Sequence, residues 1–361
     1  MENGRLKSLD ALRGFDMLLI MGFGWMLYDV CCLWPGGEHF WLARQMEHAA
    51  WNGLTLFDTV FPLFLFISGM TFPFSLAKRR EKGLGDGSTV RKVLIRALIM
   101  VALGMVYNGC CDLKFASMRF YSVLGRIGIA WALAALLYMA MEWKPRAVIA
   151  AVILIGYNLL LTIVAPDRPG ADPLSMDGNL VGYVDRCLMP GHLYFEGFDP
   201  EGLLSTLPAV VTAMLGQFAG EFVRSGRPRK TLSMLGAAAV LLGLGLIWSL
   251  WLPVNKSLWT SSFVLVVAAY SLALFALFYY LIDVRGWKKW AFPLEVIGLN
   301  SITIYMLQRI VSIQSASRFL FGGLAGLFPA QGSQVILGTG YVLLSWLLLY
   351  FLYRKKVFLK I

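Results

Sequence analysis

The sequence predicts an all-α fold: a polytopic integral membrane bundle of about ten transmembrane helices, with both termini cytoplasmic. Composition is the first reason. Hydrophobic residues fill 58% of the 361 positions and charged ones only 15%, whereas soluble domains carry roughly a quarter charged residues. The second reason is clustering, because the apolar residues come in blocks of about 18 or more, the length of a membrane-spanning helix. The mean hydropathy of +0.67 agrees. Barrels lack such long runs, and only helices or closed barrels satisfy the backbone in lipid. The third reason is the charge distribution along the chain.

The first block, at 9–30, follows Lys7 and carries Asp10, Arg13 and Asp16 within it. It has no small-residue cleavage site, so it reads as a retained signal-anchor. The second, at 54–77, contains Asp58 in its first turns and ends on Lys78, Arg79 and Arg80. The third, 90–108, holds Arg96; the fourth, 120–141, holds Arg126; the fifth, 146–165, starts at Arg146. The sixth, 201–223, opens at Glu201, and the seventh and eighth, 231–252 and 258–282, contain no charge. Glu295 lies early in the ninth, 291–313, and the tenth, 334–353, runs into Arg354. The whole chain, 1–361, reads as a single transmembrane domain. No strong internal repeat is visible, which counts against transporters built from symmetric halves.

Placing the N-terminus inside puts twenty-one Lys and Arg residues in inner segments and eight in outer ones. This obeys the positive-inside rule. The net charge of +11 therefore reflects topology, with a secondary pull on anionic lipid or an anionic cytosolic ligand, and it does not point to nucleic acid. The longest outer segments are 31–53 and 166–200. All five cysteines (Cys31, Cys32, Cys110, Cys111 and Cys187) fall outside, where a disulfide is chemically allowed.

Ionisable groups inside spans are costly and functional by default. Arg96, Glu221 and Glu295 lie near span ends, where snorkelling or ion pairing explains them. Arg13, Asp58 and Arg126 lie one to three turns inside and predict a buried polar network. His48, just before the second span in "MEHAAWNGLTLFDTV", is either an interface anchor beside tryptophan or a proton-transfer group. His39 and His192 have no partners at metal-ligand spacing. There is no P-loop and no nucleophile elbow, and "GLGDGS" at 83–88 is a flexible cytoplasmic turn.

Seven blocks, in order from residue 8 to 361, carry a resemblance: "SLDALRGFDMLLIM", "HAAWNGLTLFDTVFPLFLFISG", "RFYSVLGRIGIAWAL", "FDPEGLLSTLPAVVTAMLGQFAGEFV", "LPVNKSLWTSSFVL", "GLNSITIYM" and "YRKKVFLKI". Together they resemble the heparan-α-glucosaminide N-acetyltransferase family, in a form similar to a prokaryotic relative. The resemblance implies a transmembrane acetyltransferase that moves acetyl from cytosolic acetyl-CoA to the free amine of a terminal glucosamine-type sugar on the far side. No metal is expected, since no His/Cys/Glu cluster in the sequence suggests one. It places the chain in a bacterial inner membrane, with the catalytic histidine near the periplasmic face. The family's essential histidine, in the block H-x-x-W-N-G-L-T, corresponds to His48. The family's active-site asparagine, ten residues after the "RG", corresponds to Gly24, so no oxyanion donor is assigned there. The segment before His48 is also longer, with "CCLWPGGEHFWLARQ", and would overhang the acceptor.

Acyl transfer to an amine needs a base, donors for the developing oxyanion and an oriented thioester. Imidazole suits the first role, or becomes transiently acetylated itself. Asp58 either orients that ring or holds Arg126; the latter is preferred, both being expected in the outer half of the bundle. Arg13, Arg126 and Arg119 are assigned to the donor, whose phosphates seek arginine. The inner cluster at 78–92 is a further candidate. Asn300 and Tyr305 are assigned as amide and hydroxyl donors to it. The acceptor set is Trp51, Asn52, Asp199, Glu201, Ser205, Thr206, Lys256 and Trp259, with sugar stacking on Trp259. Helix capping and interface anchoring explain part of this set. The partners are thus acetyl-CoA, the amino-sugar acceptor and the bilayer, with no nucleic acid and a homodimer left open. Two other functions remain: a sugar or anion transporter using Arg126, Asp58 and His48, or an acyltransferase for another cell-wall or polysaccharide acceptor.

Overall fold

The computed structural model describes residues 6–110 and 118–359. Arg5, Cys111, Lys114 and Lys360, which entered the charge and cysteine readings, lie outside the described residues. Regular structure among the described residues is helical, apart from one isolated bridge between Val164 and Asn179. In chain order the helices are α1 (Lys7–Leu18), α2 (Gly24–Cys31), α3 (Trp41–Gln45), α4 (Val60–Glu81) and α5 (Asp86–Tyr107). Next come α6 (Val123–Ala140), α7 (Trp143–Leu160), α8 (Leu180–Leu188), α9 (Thr206–Arg224) and α10 (Lys230–Trp248). The last are α11 (Ser261–Phe278), α12 (Phe292–Leu299), α13 (Ser301–Ile310), α14 (Ile313–Ala325) and α15 (Ala330–Arg354). A π-helical stretch, Leu19–Phe23, joins α1 to α2, and another, Tyr279–Val284, extends α11.

Eight helical stretches among the described residues are long and apolar enough to cross a membrane. Two of the ten expected spans differ from the rest. The third forms as the 22-residue α5, but every 18-residue stretch of it contains Arg91, Lys92 and Arg96. The ninth is broken into α12 and α13 at Asn300, whose backbone leaves the helical region at φ −128° and ψ 32°. The Asn300 side chain explains the break. Its Nδ2 donates to Val357 O at 3.1 Å and its Oδ1 accepts from Leu359 N–H at 3.3 Å, so the amide holds the C-terminal segment.

The described chain divides into two compact units. One comprises residues 6–49, 54–60 and 274–359. In it α1 lies tightly on α12. A Cβ on Gly14 would fall 1.8 Å from Leu294 O, and one on Gly298 would fall 1.9 Å from Asp10 O, so only glycine permits this approach. Met17, Met21, Val296, Ile297, Ile304 and Leu349 form its buried core. A smaller cluster of Leu19, Met46 and Val60 supports the segment that bears His48.

The other unit comprises residues 50–53 and 61–273. There α5 packs on α6, and α6 and α7 pack on α9. Side chains cap two of its helices: Ser122 Oγ accepts from Gly125 N–H at 3.0 Å at the start of α6, and Asn179 Oδ1 accepts from Gly182 N–H at 2.7 Å at the start of α8. Each satisfies one of the orphan donors of a helix N-terminus. Tyr157, Val181, Phe198 and Leu258 form a core that Trp51 packs against.

Candidate functional site

Residues 46–60 fold around one carboxylate. Asp58, 1% exposed, lies in a single 3-10 turn ahead of α4. Its Oδ2 accepts from Ala49 N–H at 3.1 Å, Thr55 N–H at 3.2 Å and Thr55 Oγ1 at 3.0 Å. Its Oδ1 lies 2.8 Å from His48 Nδ1. Three donors on one oxygen fix the carboxylate, which in turn fixes the ring and favours the tautomer with the proton on Nδ1 and the basic lone pair on Nε2. The His48 side chain remains 54% exposed. Phe57 holds its other side, with ring centroids 4.9 Å apart. Of the two partners open to Asp58, the structure supplies His48. The carboxylate's other oxygen is taken by the 49–55 turn.

Gly24 points into this neighbourhood. A Cβ there would sit 3.2 Å from the Phe57 ring and 3.5 Å from Met46 sulfur. Gly24 therefore faces the ring that braces His48.

In the same unit, Arg13 makes a long contact to Asp10, Nη1 to Oδ1 at 3.5 Å. Asn300 spends both ends of its amide on the C-terminal segment, which replaces the expected donor role with a structural one. Tyr305 packs, partly buried, against the Met17–Ile304 core. Asp16 is fully buried, and neither of its oxygens has a hydrogen-bond partner among the described residues.

The second unit contains a cluster of a different kind. Arg119 forks onto Asp199, Nε to Oδ2 at 2.8 Å and Nη2 to Oδ1 at 2.7 Å, and also bonds Glu201. Burial alone would lower the guanidinium pKa, but hydrogen bonding to Asp199 and the charges of both carboxylates raise it above its ordinary value. Its carbon also lies 4.8 Å from the Tyr194 ring centroid. Asp199 accepts further from Tyr194 N–H at 3.0 Å and Glu201 N–H at 2.9 Å. Arg119, expected at the donor, and Asp199 and Glu201, expected at the acceptor, are instead bonded to one another, one guanidinium against two carboxylates.

Arg126, 3% exposed, donates to Gly202 O at 3.3 Å and to Ser205 Oγ. It lies 5.1 Å from the Trp259 ring centroid and 5.9 Å from that of Phe61. Its Nε and Nη1 are buried with no hydrogen-bond partner among the described residues. Leaving charged donors unpaired in a dry interior is costly.

The remaining acceptor residues are mostly structural. Trp259 is 1% exposed, donates to Thr212 Oγ1 at 3.2 Å and sits edge-on to Phe61 and Phe263. It offers no sugar-stacking face. Thr206 bonds the Gly202 carbonyl and Ser205 is buried under Arg126. Lys256 is partly exposed. Trp51 donates Nε1 to Leu174 O at 2.8 Å, Asn52 Oδ1 accepts from Asn255 Nδ2 at 3.0 Å, and Gly53 N–H donates to Val254 O at 2.8 Å, tying the Trp-Asn-Gly bend to residues 254–255.

The groups near span ends are paired. Arg146 binds Glu221 at 2.6 Å, Lys7 lies 3.7 Å from Glu295, and Arg96 covers the Trp131 ring at 4.3 Å. The sequence reading did not find Asp185, which is buried, accepts from Tyr121 Oη at 2.9 Å and from Leu203 N–H at 3.0 Å, and has an unpartnered Oδ2. Desolvation pushes its pKa up to about 6. Cys31, Cys32 and Cys187 are thiols.

A family model for the heparan-alpha-glucosaminide N-acetyltransferase catalytic region matches residues 5–252. The human heparan-alpha-glucosaminide N-acetyltransferase is 26% identical over 417 aligned positions, covering 99% of this chain and 60% of the human protein. The mouse protein of the same name is 25% identical over 416 positions with the same coverage. The chain thus spans about 60% of the length of the curated relatives it matches.

Proposed function

Since the chain belongs to the heparan-alpha-glucosaminide N-acetyltransferase catalytic family, we propose that it is a transmembrane acetyltransferase. On this reading it moves acetyl from cytosolic acetyl-CoA to the free amine of a glucosamine-type sugar on the outer side. The observation that carries the reading is the His48–Asp58 pair, a half-open imidazole oriented at 2.8 Å by a carboxylate that three other donors fix. That is the arrangement of a positioned general base. When bound, acetyl-CoA supplies the activated acyl group.

As the amide C–N bond forms and the thioester C–S bond breaks, His48 would take the proton that the sugar nitrogen loses, through Nε2, and return it to the departing coenzyme A thiolate. Asp58 holds the ring and stabilises the imidazolium that results. The residues present fit the donor at Arg126, whose buried Nε and Nη1 require an acceptor such as a carbonyl oxygen of the coenzyme's amide arm. Direct transfer is favoured over an acetylated ring, because an acetyl-imidazole on a half-exposed side chain would hydrolyse.

The test uses the purified full chain in lipid nanodiscs, with labelled acetyl-CoA and glucosamine. His48→Ala should still bind acetyl-CoA and lose about 10²–10⁴-fold in transfer, the usual worth of one positioned proton-transfer group. Full activity in that variant would end the reading of His48 as the base.

A further inference from the structure

We propose that a pocket among the ends of α4, α6 and α9 binds the phosphate of an anionic phospholipid headgroup. The site is independent of the acetyl-transfer reading and lies wholly within the second unit. The pocket holds about 260 Å³ and is lined by Pro73, Leu76, Ala77, Arg80, Tyr138 and Arg224. Its four residues from α4 stand at i, i+3, i+4 and i+7, the spacing of a single helix face. Arg80, Tyr138 and Arg224 each lie within two residues of the C-terminal end of their helix. All three helices belong to stretches long and apolar enough to cross a membrane, so the pocket sits at a rim of the spans. On the orientation that the basic asymmetry predicts, that rim is the inner one.

The packing beneath the pocket builds it. A Cβ on Gly216 would fall 2.1 Å from Phe66 O, and one on Gly220 would fall 2.3 Å from Met70 O. Only glycine lets α9 approach the α4 backbone this closely. One turn beyond Gly220, Arg224 reaches back to α4 and donates Nη1 to Pro73 O at 3.0 Å. That bond anchors the guanidinium at the pocket, and its Nε and Nη2 carry no hydrogen bond among the described residues. Tyr138 forms the α6 wall, its ring edge-on to Phe72 with centroids 5.4 Å apart.

The charges around the pocket favour an anion. Residues 78–92 carry six Lys and Arg against two acidic residues, and residues 223–230 carry four against none. Glu221, beside Tyr138, is taken by Arg146 at 2.6 Å. Asp86 takes Arg80 through contacts at 3.2 and 3.1 Å. Those two side chains are 53% and 55% exposed, and such a surface pair contributes little, so it yields to a better anion. A phosphodiester matches the arginine fork, and the cationic surroundings favour a headgroup of net negative charge over a zwitterion.

The apolar wall selects a lipid over a soluble anion. Pro73, Leu76 and Ala77 lie deeper in the span than Arg80, where a free phosphate gains nothing and the top of an acyl chain buries surface. The volume is below that of sites for drug-sized molecules, which suits a headgroup better than a nucleotide. Basic pockets between spanning helices on the cytoplasmic side are recurrent headgroup sites. Arg80, part of the inner cluster weighed above for the donor phosphates, is thereby given to the bilayer.

The test uses the purified full chain and reads lipid binding and thermal midpoint, so no transferase activity enters it. In phosphatidylcholine nanodiscs, adding phosphatidylglycerol should raise the wild-type midpoint. Native mass spectrometry should show phosphatidylglycerol held about tenfold more tightly by the wild type than by Arg224→Gln, the size expected for a charge-assisted hydrogen bond. Arg224→Lys should recover part of the loss, lacking the fork. Because Arg224 also holds the Pro73 carbonyl, the half-exposed Arg80 supplies the second variant. Arg80→Gln should show a similar loss with an unchanged midpoint in phosphatidylcholine alone. Arg91→Gln removes the same charge from the same inner segment outside the pocket and should keep the lipid. Equal wild-type affinity for phosphatidylglycerol and phosphatidylcholine would overturn the site. So would an equal loss in Arg91→Gln, which would mean diffuse attraction. Competition identifies the source of the phosphate, and neither inorganic phosphate nor coenzyme A should displace the lipid. Displacement by inorganic phosphate would make this a soluble-anion site, displacement by coenzyme A would return it to the donor, and either result overturns the lipid assignment.

Discussion

Asp58 and Asp199 are both buried aspartates with both oxygens occupied, yet they serve opposite ends. Asp58 spends one oxygen on three neutral donors of its own turn and the other on an imidazole that is half in solvent. Asp199 spends both on Arg119, with two backbone N–H groups behind it. An arginine never gives up its proton, so the second arrangement can only brace the fold. A histidine can, so the first can move a proton between a substrate and a fixed carboxylate. On the proposed function, the type of cation opposite the aspartate separates the machinery from the strut.

The largest effect should come from removing the charge of Asp58 while keeping its shape. In Asp58→Asn the amide nitrogen can donate to Nδ1, which drives the ring to the tautomer with its proton on Nε2. Transfer should fall about 10²–10⁴-fold, by analogy with the wrong-tautomer loss in hydrolytic triads. Acetyl-CoA binding, read by calorimetry, should be retained. A variant with more than a tenth of wild-type activity would place Asp58 with Asp199 among the struts.

Arg119→Ala is the converse probe and should read out in stability. It strands two carboxylates, one of them with no exposure, and breaking such a pair costs roughly 3–5 kcal/mol. The thermal midpoint in detergent should drop sharply, and Arg119→Lys should recover only part of it, lacking the fork. A folded, stable Arg119→Ala protein that had lost only donor binding would restore the ligand role that the geometry removes.

Arg126 tests the same distinction from the other side. A buried charge with two unpartnered nitrogens contributes little to the fold, so Arg126→Met, similar in volume and apolar, should be as stable as the wild type or more so. Transfer should fall about tenfold or more through weaker acetyl-CoA binding, the size expected for one charge-assisted hydrogen bond. A loss of stability with unchanged donor affinity would make Arg126 another strut.

Most of the fold was legible because lipid leaves so few options. Apolar blocks of span length can only be helices in lipid, unless they close into a barrel. The break at Asn300 was not legible, since "GLNSITIYM" reads as one continuous apolar segment and the cause is a tail 57 residues later in the chain. The His48–Asp58 pair was half legible. A spacing of ten residues is no helical period, and the turn that folds it back depends on Thr55 and on a backbone N–H. The acceptor set misled for a different reason. Trp, Ser, Thr and acidic residues at an interface look identical whether they face a ligand or cap and pair within the fold, and burial alone separates the two.

The smallest effect belongs to Asp185, a third buried aspartate, which has neither an arginine nor a histidine bonded to it among the described residues. Its partners are the Tyr121 hydroxyl and the Leu203 N–H, and its second oxygen lies against Gly202, where a Cβ would come within 2.0 Å. Desolvation pushes its pKa up from 3.8 to about 6. Between those values the folded protein holds a proton that the unfolded chain has released, so stability must fall as pH rises through that window. The contribution is complete below about pH 4 and lost above about pH 6. Asparagine keeps the accepting oxygen and mimics the protonated acid. Asp185→Asn should therefore show a flatter thermal midpoint between about pH 4 and 6.5, and at the upper end should be the more stable protein by a modest margin. Parallel pH profiles for the two proteins would mean that the carboxylate is charged in the fold after all. Asp185 would then belong with Asp199, held by the surrounding positive field rather than by a proton.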